Sequence, residues 1–518
     1  MKSRISKFLI KNMRSFYVLL FLSFTGYTFT SFFFNYDLLD LEGLQYDADA
    51  LDFALNWRLA GPISSPNIAI IEIDERSLDA LAEEFGRWPW PRSIFADFIF
   101  GLEEANPLSV FINILFTDPD INDPDSDDAL DYAISEFDNI VLPASRLDPQ
   151  NDSLSEVLLS QLPFVFSYET DMPVAVLLTF FPSALTKLGL NNLILDDDGF
   201  VRRAQLLYRE EMAQYKTITS LQVNLATGNT EPSIDRLINW STDEGYTRHS
   251  FSDVYSALLK GDGEYISKFS NKNVIIGLTA PGLAIQRPTP LTAYTNDNYI
   301  IASQLDSLLN NKGLKTIPPV IIMLISITFF GFFAFAGFNN WDEHLVDYSF
   351  YGFEILSVVV SIVSISYTNY FIDLTYPITS AGLFFILTYA YRYPINERLS
   401  GKNSWLLHEE LNQHFYYSTF ILKNENYLDD IRGLKRNGTL KDIYVLGDFV
   451  SSDLVFGDVF EGVKLLVCFH DVPIAAFLNV DNFMSHKLDV LTGRNAKKTL
   501  ASNMLDCYQT YIKSTYAN

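Results

Sequence analysis

Cysteine is nearly absent from this chain: two residues in 518, Cys468 and Cys507, both close to the C-terminus, so no disulfide scaffold is implied. Basic residues are also scarce. The 37 Lys and Arg stand against 63 Asp and Glu, and a net charge of −26 excludes the basic face that nucleic-acid binding needs. Complete catalytic and metal motifs are missing as well. Asp118, Asp120, Asn122 and Asp123 suggest a calcium loop, but a loop begun at Asp118 sets Asp123 where the turn glycine belongs and Ala129 where the bidentate glutamate belongs. A solvated turn capping a helix explains them. Gly493 to Thr499 lacks the spacing of a phosphate loop and reads as a basic helix start. Asp448, Asp453 and Asp458 could include a metal-binding pair of the cyclase kind, yet strand ends and turns beside Gly447 and Gly457 produce the same spacing. His408 and His414, six apart, do not share a helix face. No catalytic residue, metal site or cofactor is therefore assigned.

What the chain has in quantity is apolar and aromatic surface, with 42 Phe and 28 Tyr. Much of it lies in four runs, 16–34, 319–338, 353–371 and 374–391, each read as a transmembrane helix. Nineteen helical residues span about 28 Å, close to the hydrocarbon thickness. Lys2, Arg4, Lys7, Lys11 and Arg14 precede the first run with no acid among them, which sets residues 1–15 in the cytoplasm. No small-x-small site follows that run, so it is expected to stay as an anchor. Residues 35–317 hold no run long enough to span and read as one large domain outside the membrane. One span before that domain and three after it return the tail, 393–518, to the cytoplasm, in agreement with Arg392, Arg398 and Lys402. The tail shows strands at 444–446 and 465–469, a third at 473–480, and helices at 405–417 and 496–512. It is a small α+β domain of unassigned type, shorter than a complete cyclase or kinase.

The outer domain is organised around residues 85–142. Pro89 and Pro91 hold Trp88 and Trp90 extended, and Pro91 suits a first helical turn. A helix is expected from Pro91 to Glu104, with Ile94, Phe95, Phe98, Ile99 and Leu102 on one stripe. Ala105-Asn106-Pro107 stops it, and Leu108 to Phe116 reads as a buried strand, apolar on both faces and therefore central in a sheet. A helix over 128–137 and a strand at 140–142 follow. Earlier, Ile68 to Ile73 is a strand and Ser77 to Glu84 a helix. Strands alternating with such helices predict an α/β domain with a mainly parallel sheet. Residues 148–156 lack a period and read as an excursion loop. Asp198-Gly199 between apolar flanks predicts a tight hairpin turn.

Phe85-Gly86-Arg87-Trp88-Pro89-Trp90-Pro91-Arg92-Ser93, the Asp-Gly-apolar-apolar-Arg-Arg stretch at Asp198 to Arg203, and Asn273 to Ala280, a strand running into a small-residue turn, with Pro288-Thr289-Pro290-Leu291 beyond it occur in this order. Together they resemble the CHASE2 domain of bacterial membrane sensors and receptors over roughly residues 40 to 315. Asn296 to Ala302 departs from the family, which more often has Pro-Gly, an apolar-acidic-apolar pattern and a His there. The resemblance implies a multi-pass protein of the bacterial cytoplasmic (inner) membrane with a periplasmic sensor. It also implies a stimulus relayed to a cytoplasmic partner, a kinase or cyclase; the architecture, a large outer domain tied to the lipid bilayer at both ends, predicts a homodimer. The alternative is a receptor enzyme whose tail is a divergent nucleotide cyclase. Arg87, Trp88, Trp90, Arg92, Arg202 and Arg203 are the candidate ligand-binding residues. The guanidiniums would suit an anionic ligand and the indoles stacking, while surface ion pairs and core packing account for the same residues.

Overall fold

The computed structural model describes residues 12–35, 46–228, 236–241, 245–339, 341 and 343–401, and beyond them four strands within 415–491. The chain forms two compact units, one of residues 39–318 with 358–373, the other of residues 1–38, 319–357 and 374–518. Helix α1 (Met13–Asn35) belongs to the second.

The first unit is built on seven strands: β1 (Ile68–Ile73), β2 (Ser109–Asn113), β3 (Ile140–Arg146), β4 (Val176–Leu177), β5 (Leu188–Leu190), β6 (Thr247–Ser250) and β7 (Asn273–Leu278). Their order is β6-β1-β7-β2-β3-β4, with β5 also on β3. All pairings are parallel except β3 with β4. The expected mainly parallel α/β sheet is thus present, and β2 is interior to it. Among the described residues, the helices of ten residues or more that lie wholly in this unit are α2 (Ala48–Trp57), α3 (Glu75–Phe85), α4 (Ser93–Glu103), α5 (Pro124–Glu136), α6 (Ile218–Thr227), α7 (Phe251–Lys260) and α8 (Asp297–Leu309).

Strand alternation divides the sheet's side chains between two cores. Ala69, Ile71, Val110, Ile112 and Ile276 point to the face covered by α3, α4, α5 and α7. Ile68, Ile70, Phe111, Val141 and Ile275 point to the face covered by α6 and α8. The predicted α4 stripe, Ile94, Phe95, Phe98, Ile99 and Leu102, is buried throughout, and each such side chain taken from water contributes roughly 1.5–3 kcal/mol. Local signals set the helix starts. Asp74 caps α3 through Ser77 N, and Asp123 caps α5 through Ser126 N with Pro124 in the first turn. Helix α5 therefore begins four residues before the expected Asp128.

Residues 148–156 are not an excursion loop. A 3-10 helix, Pro149–Leu154, is tied down by Asp152, which pairs with the buried Arg146 at 2.7 Å. The Asp-Gly turn forms, with Gly199 at φ 84° and Asp196 N donating to Phe200 O at 2.9 Å. It does not close a hairpin, because Arg203–Ala204 pairs with Arg236–Leu237 instead.

Helices α9 (Pro319–Phe338), α10 (Glu343–Tyr367) and α11 (Thr375–Gly401) follow the sheet. Among the described residues three helices are long and apolar enough to cross a membrane, Met13–Phe34, Pro319–Phe338 and Leu345–Tyr367. The run expected to be the fourth span, 374–391, is helical but is not one of these three. The run 353–371 also differs from expectation: its helix starts at Glu343 and stops at Tyr367. The segment after it returns to the first unit. There β8 (Lys315–Thr316) pairs in parallel with β9 (Tyr370–Phe371). Phe371 and Ile365 are buried in a third core with Leu51, Leu55, Val201, Ile300 and Leu314. Ser366 Oγ accepts from Leu59 N at 2.9 Å, and an Asp373 carboxylate oxygen accepts from Asp47 N at 2.6 Å.

In the tail, Asp442–Val445, Lys464–His470, Phe415–Leu422 and Phe483–Leu491 make an antiparallel sheet in that order. Residues 415–417 are therefore strand, where a helix over 405–417 was expected. The strand expected at 473–480 and the helix at 496–512 lie outside the described residues, as do His408, His414, Asp448, Asp453, Asp458 and the segment 493–499.

Candidate functional site

Strands β7 and β2 are neighbours, and the chain leaves their C-terminal ends toward opposite faces. After β2 it passes to α5 on one side; after β7 it passes to α8 on the other. Two parallel strands that part in this way leave a crevice at their carboxyl ends, the usual ligand position in open α/β sheets. Here the crevice is a cleft of about 860 Å³, within the range of small-molecule sites.

Its floor is made by asparagines from both lips. Asn113, the last residue of β2, donates through Nδ2 to Asn298 Oδ1 at 2.8 Å. Asn298 Nδ2 and Asn296 Nδ2 both donate to Leu278 O at the end of β7, at 3.1 and 2.9 Å. Asn296 also caps α8 through Asn298 N. Gly277 permits this arrangement, since a Cβ there would stand 2.3 Å from Asn298 Oδ1. The lining also includes Trp88, Trp90, Phe95, Phe116 and Ile285, together with Asp118, Asp120 and Asp297. Burial raises the Asp297 pKa, and the fork from Arg287 Nε at 3.1 and 3.2 Å opposes that rise.

Of the six residues singled out by sequence, three line this cleft: Trp88, Trp90 and Arg92. Trp88 is half-buried and Trp90 only 4% exposed. The Arg92 guanidinium is already engaged, by the Asp127 carboxylate and the Asp118 carbonyl, and it covers the Phe116 ring at 5.7 Å. Through these two contacts it pins the acidic loop. Within that loop Asp120 Oδ1 accepts from Asn122 N at 3.0 Å and Asp123 caps α5, so the carboxylates do form a capping turn. Arg87 is exposed and does not line the cleft.

Arg202 and Arg203 lie elsewhere in the same unit. Arg202 is 1% exposed. It makes five hydrogen bonds: Nε and Nη2 to Asp52 at 2.9 and 2.7 Å, Nη1 to Asp196 and Asp198 at 2.9 Å each, and Nη2 to Asp198 at 2.6 Å. A guanidinium has five N–H donors, so none remains for a ligand. Burial by itself would lower the Arg202 pKa, but the bonds to Asp52, Asp198 and Asp196 carry it above its ordinary value. Arg203 meets Asp196 at 3.1 Å and lies over the Tyr46 ring. Burial, with the hydrogen bond to Asp196, pushes the Tyr46 hydroxyl up to about 12. Arg202 joins α2 to the Asp-Gly turn, and Arg203 joins that turn to Tyr46.

The family model of the CHASE2 domain matches residues 20–336, more than half of the 518. The chain belongs to the CHASE2 domain family. Sensing is the role of this family, and the CHASE2 match begins inside α1 and ends inside α9, so it brackets the whole sheet and the cleft. It stops short of residues 358–373, which nevertheless pack into the CHASE2 unit. No curated protein and no solved structure matches the chain. The site residues that sequence reasoning missed are Asn113, Asn296 and Asn298. The last two stand in the stretch that departs from the family pattern, and that departure was the available signal.

Proposed function

We propose that the protein is a membrane sensor whose CHASE2 domain, outside the cytoplasm, binds a small molecule in the crevice between β2 and β7 and passes the change through four spans. The observation that carries this reading is the cleft itself, placed where the two strands part and lined by side chains that both lips contribute. Occupancy would act on α8, whose first residues form one lip and whose Ile300 lies in the third core beside Phe371. A ligand shifts such a system only by its differential affinity for two states. Because β9 and the end of α10 are built into the CHASE2 unit, a shift of α8 reaches the spans through residues 358–373 as well as through residues 315–319. A cytoplasmic kinase or cyclase would read the outcome at the tail.

Alkaline phosphatase fusions test the topology. Enzyme joined after Asp49 or after Thr368 is expected to be active, and the same enzyme joined after Ser400 silent. Activity at Ser400 with silence at Asp49 overturns the reading.

A further inference from the structure

We infer that the crevice selects a small organic cation, an amine or quaternary ammonium, and rejects anions. The inference rests on reading the cleft as the sensor's ligand site and goes on to name the ligand's chemistry.

The first support is the wall. The Trp88 ring stands nearly perpendicular to Trp90, at 76° and 5.1 Å between centroids, and to Phe95, at 87° and 6.2 Å. Trp88 keeps exposed surface on the cleft, whereas Trp90 and Phe95 are buried behind it. An indole face carries the negative end of the ring quadrupole and attracts a cation positioned over it.

The second support is the charge inventory of the lining. Three carboxylates, Asp118, Asp120 and Asp297, share the cleft with one guanidinium, Arg92. Arg92 is engaged by Asp127, and Asp297 by Arg287. Asp118 and Asp120 form no ion pair among the described residues. Their Thr117, Asn122 and Asp123 contacts are hydrogen bonds to one oxygen of each carboxylate. The lining is therefore negative. An entering anion would meet two carboxylates that form no ion pair, while an ammonium would find both a counter-charge and an aromatic face. The amides of Asn113 and Asn298 add neutral donors and acceptors that suit a hydroxyl or carbonyl on the same molecule.

The test uses the full chain in lipid nanodiscs at low salt, titrated calorimetrically with choline, with 3,3-dimethylbutan-1-ol, which has the same shape without the charge, and with acetate. Choline is expected to bind saturably, and the alcohol at least about tenfold more weakly. The double variant Asp118→Asn/Asp120→Asn keeps the oxygens that accept the turn hydrogen bonds, so it is expected to retain its melting temperature and to lose about tenfold in choline affinity. Equal binding of the alcohol, tighter binding of acetate, unchanged choline affinity in the double variant, or no choline binding up to about 10 mM each overturns the inference. Ser145→Trp, which fills the cleft, separates the two readings. If it abolishes binding of the alcohol or acetate, the site stands and the cation class falls. If it leaves choline binding intact, the site falls as well.

Discussion

Arg202 and the cleft residues occupy one domain and show two different uses of polar chemistry. Around Arg202 the groups close on one another: five donors meet three carboxylates, and the guanidinium is almost wholly removed from water. Around Asn113 and Asn298 the groups close only halfway, leaving an aromatic wall and carboxylate oxygens facing a volume that a small molecule could fill. Removing charge from water is costly, so a buried guanidinium is held only where its partners are complete, and completeness leaves it nothing to bind with. The residue types are alike in the two places; saturation is what separates architecture from a site.

The comparison can be broken most forcefully at Arg202. Arg202→Met leaves Asp52, Asp196 and Asp198 facing one another, and the expected loss is about 3–5 kcal/mol, read as a lowered denaturant midpoint of the CHASE2 unit in the full chain. A change within error would mean the network adds little. A smaller effect is expected at Gly277. Gly277→Ala puts a Cβ 2.3 Å from Asn298 Oδ1; the expected cost is about 1–3 kcal/mol, together with loss of probe binding in the cleft. A variant with native stability and native binding would show that the Asn298 contact does not shape the crevice.

Acid gives the finest distinction, because the two regions respond with opposite sign. The hydrogen bond from Arg202 lowers the Asp198 pKa. Its stabilising contribution is therefore full above the ordinary carboxylate value of about 4 and is lost as pH falls through the depressed folded value. Burial raises the Asp297 pKa. Its ionised form costs stability above that raised value, and the cost is relieved as pH falls through it toward the unfolded value. Urea midpoints between neutral pH and pH 3 should fall less steeply in Asp198→Asn and more steeply in Asp297→Asn than in the native chain. Identical slopes would remove the distinction.

Much of the domain was legible from local pattern. Ile68 to Ile73 is a strand with the expected limits, the stretch from Asn273 begins as the expected strand, and the five-residue stripe of α4 is buried as its spacing requires. A strand buried on both faces needs a continuous apolar run, and a helix against a sheet needs one apolar stripe, so composition and period suffice. For Trp88, Trp90 and Arg92 the sequence offered ligand contact beside core packing and ion pairing; Trp90 is buried, Arg92 is paired with Asp127, and all three line the cleft. For Arg202 and Arg203 the sequence left ligand binding and ion pairing both open, since it displays an arginine but not the three carboxylates that surround Arg202, one of them 150 residues away.

What the sequence by itself determined is the order of elements, the faces they bury and the apolar helices on either side of the sheet. Only the tertiary structure decided where β7 goes. Its insertion between β1 and β2 brings Asn113 beside Asn298 across 185 residues and opens the crevice at their shared edge. It also decided that residues 358–373 belong with the CHASE2 unit, although residues 358–367 are the end of an apolar helix. The reason is the same in both cases: period and capping act over a few residues, whereas sheet order and docking are chosen by which distant apolar faces and hydrogen-bonding edges satisfy one another in the finished packing.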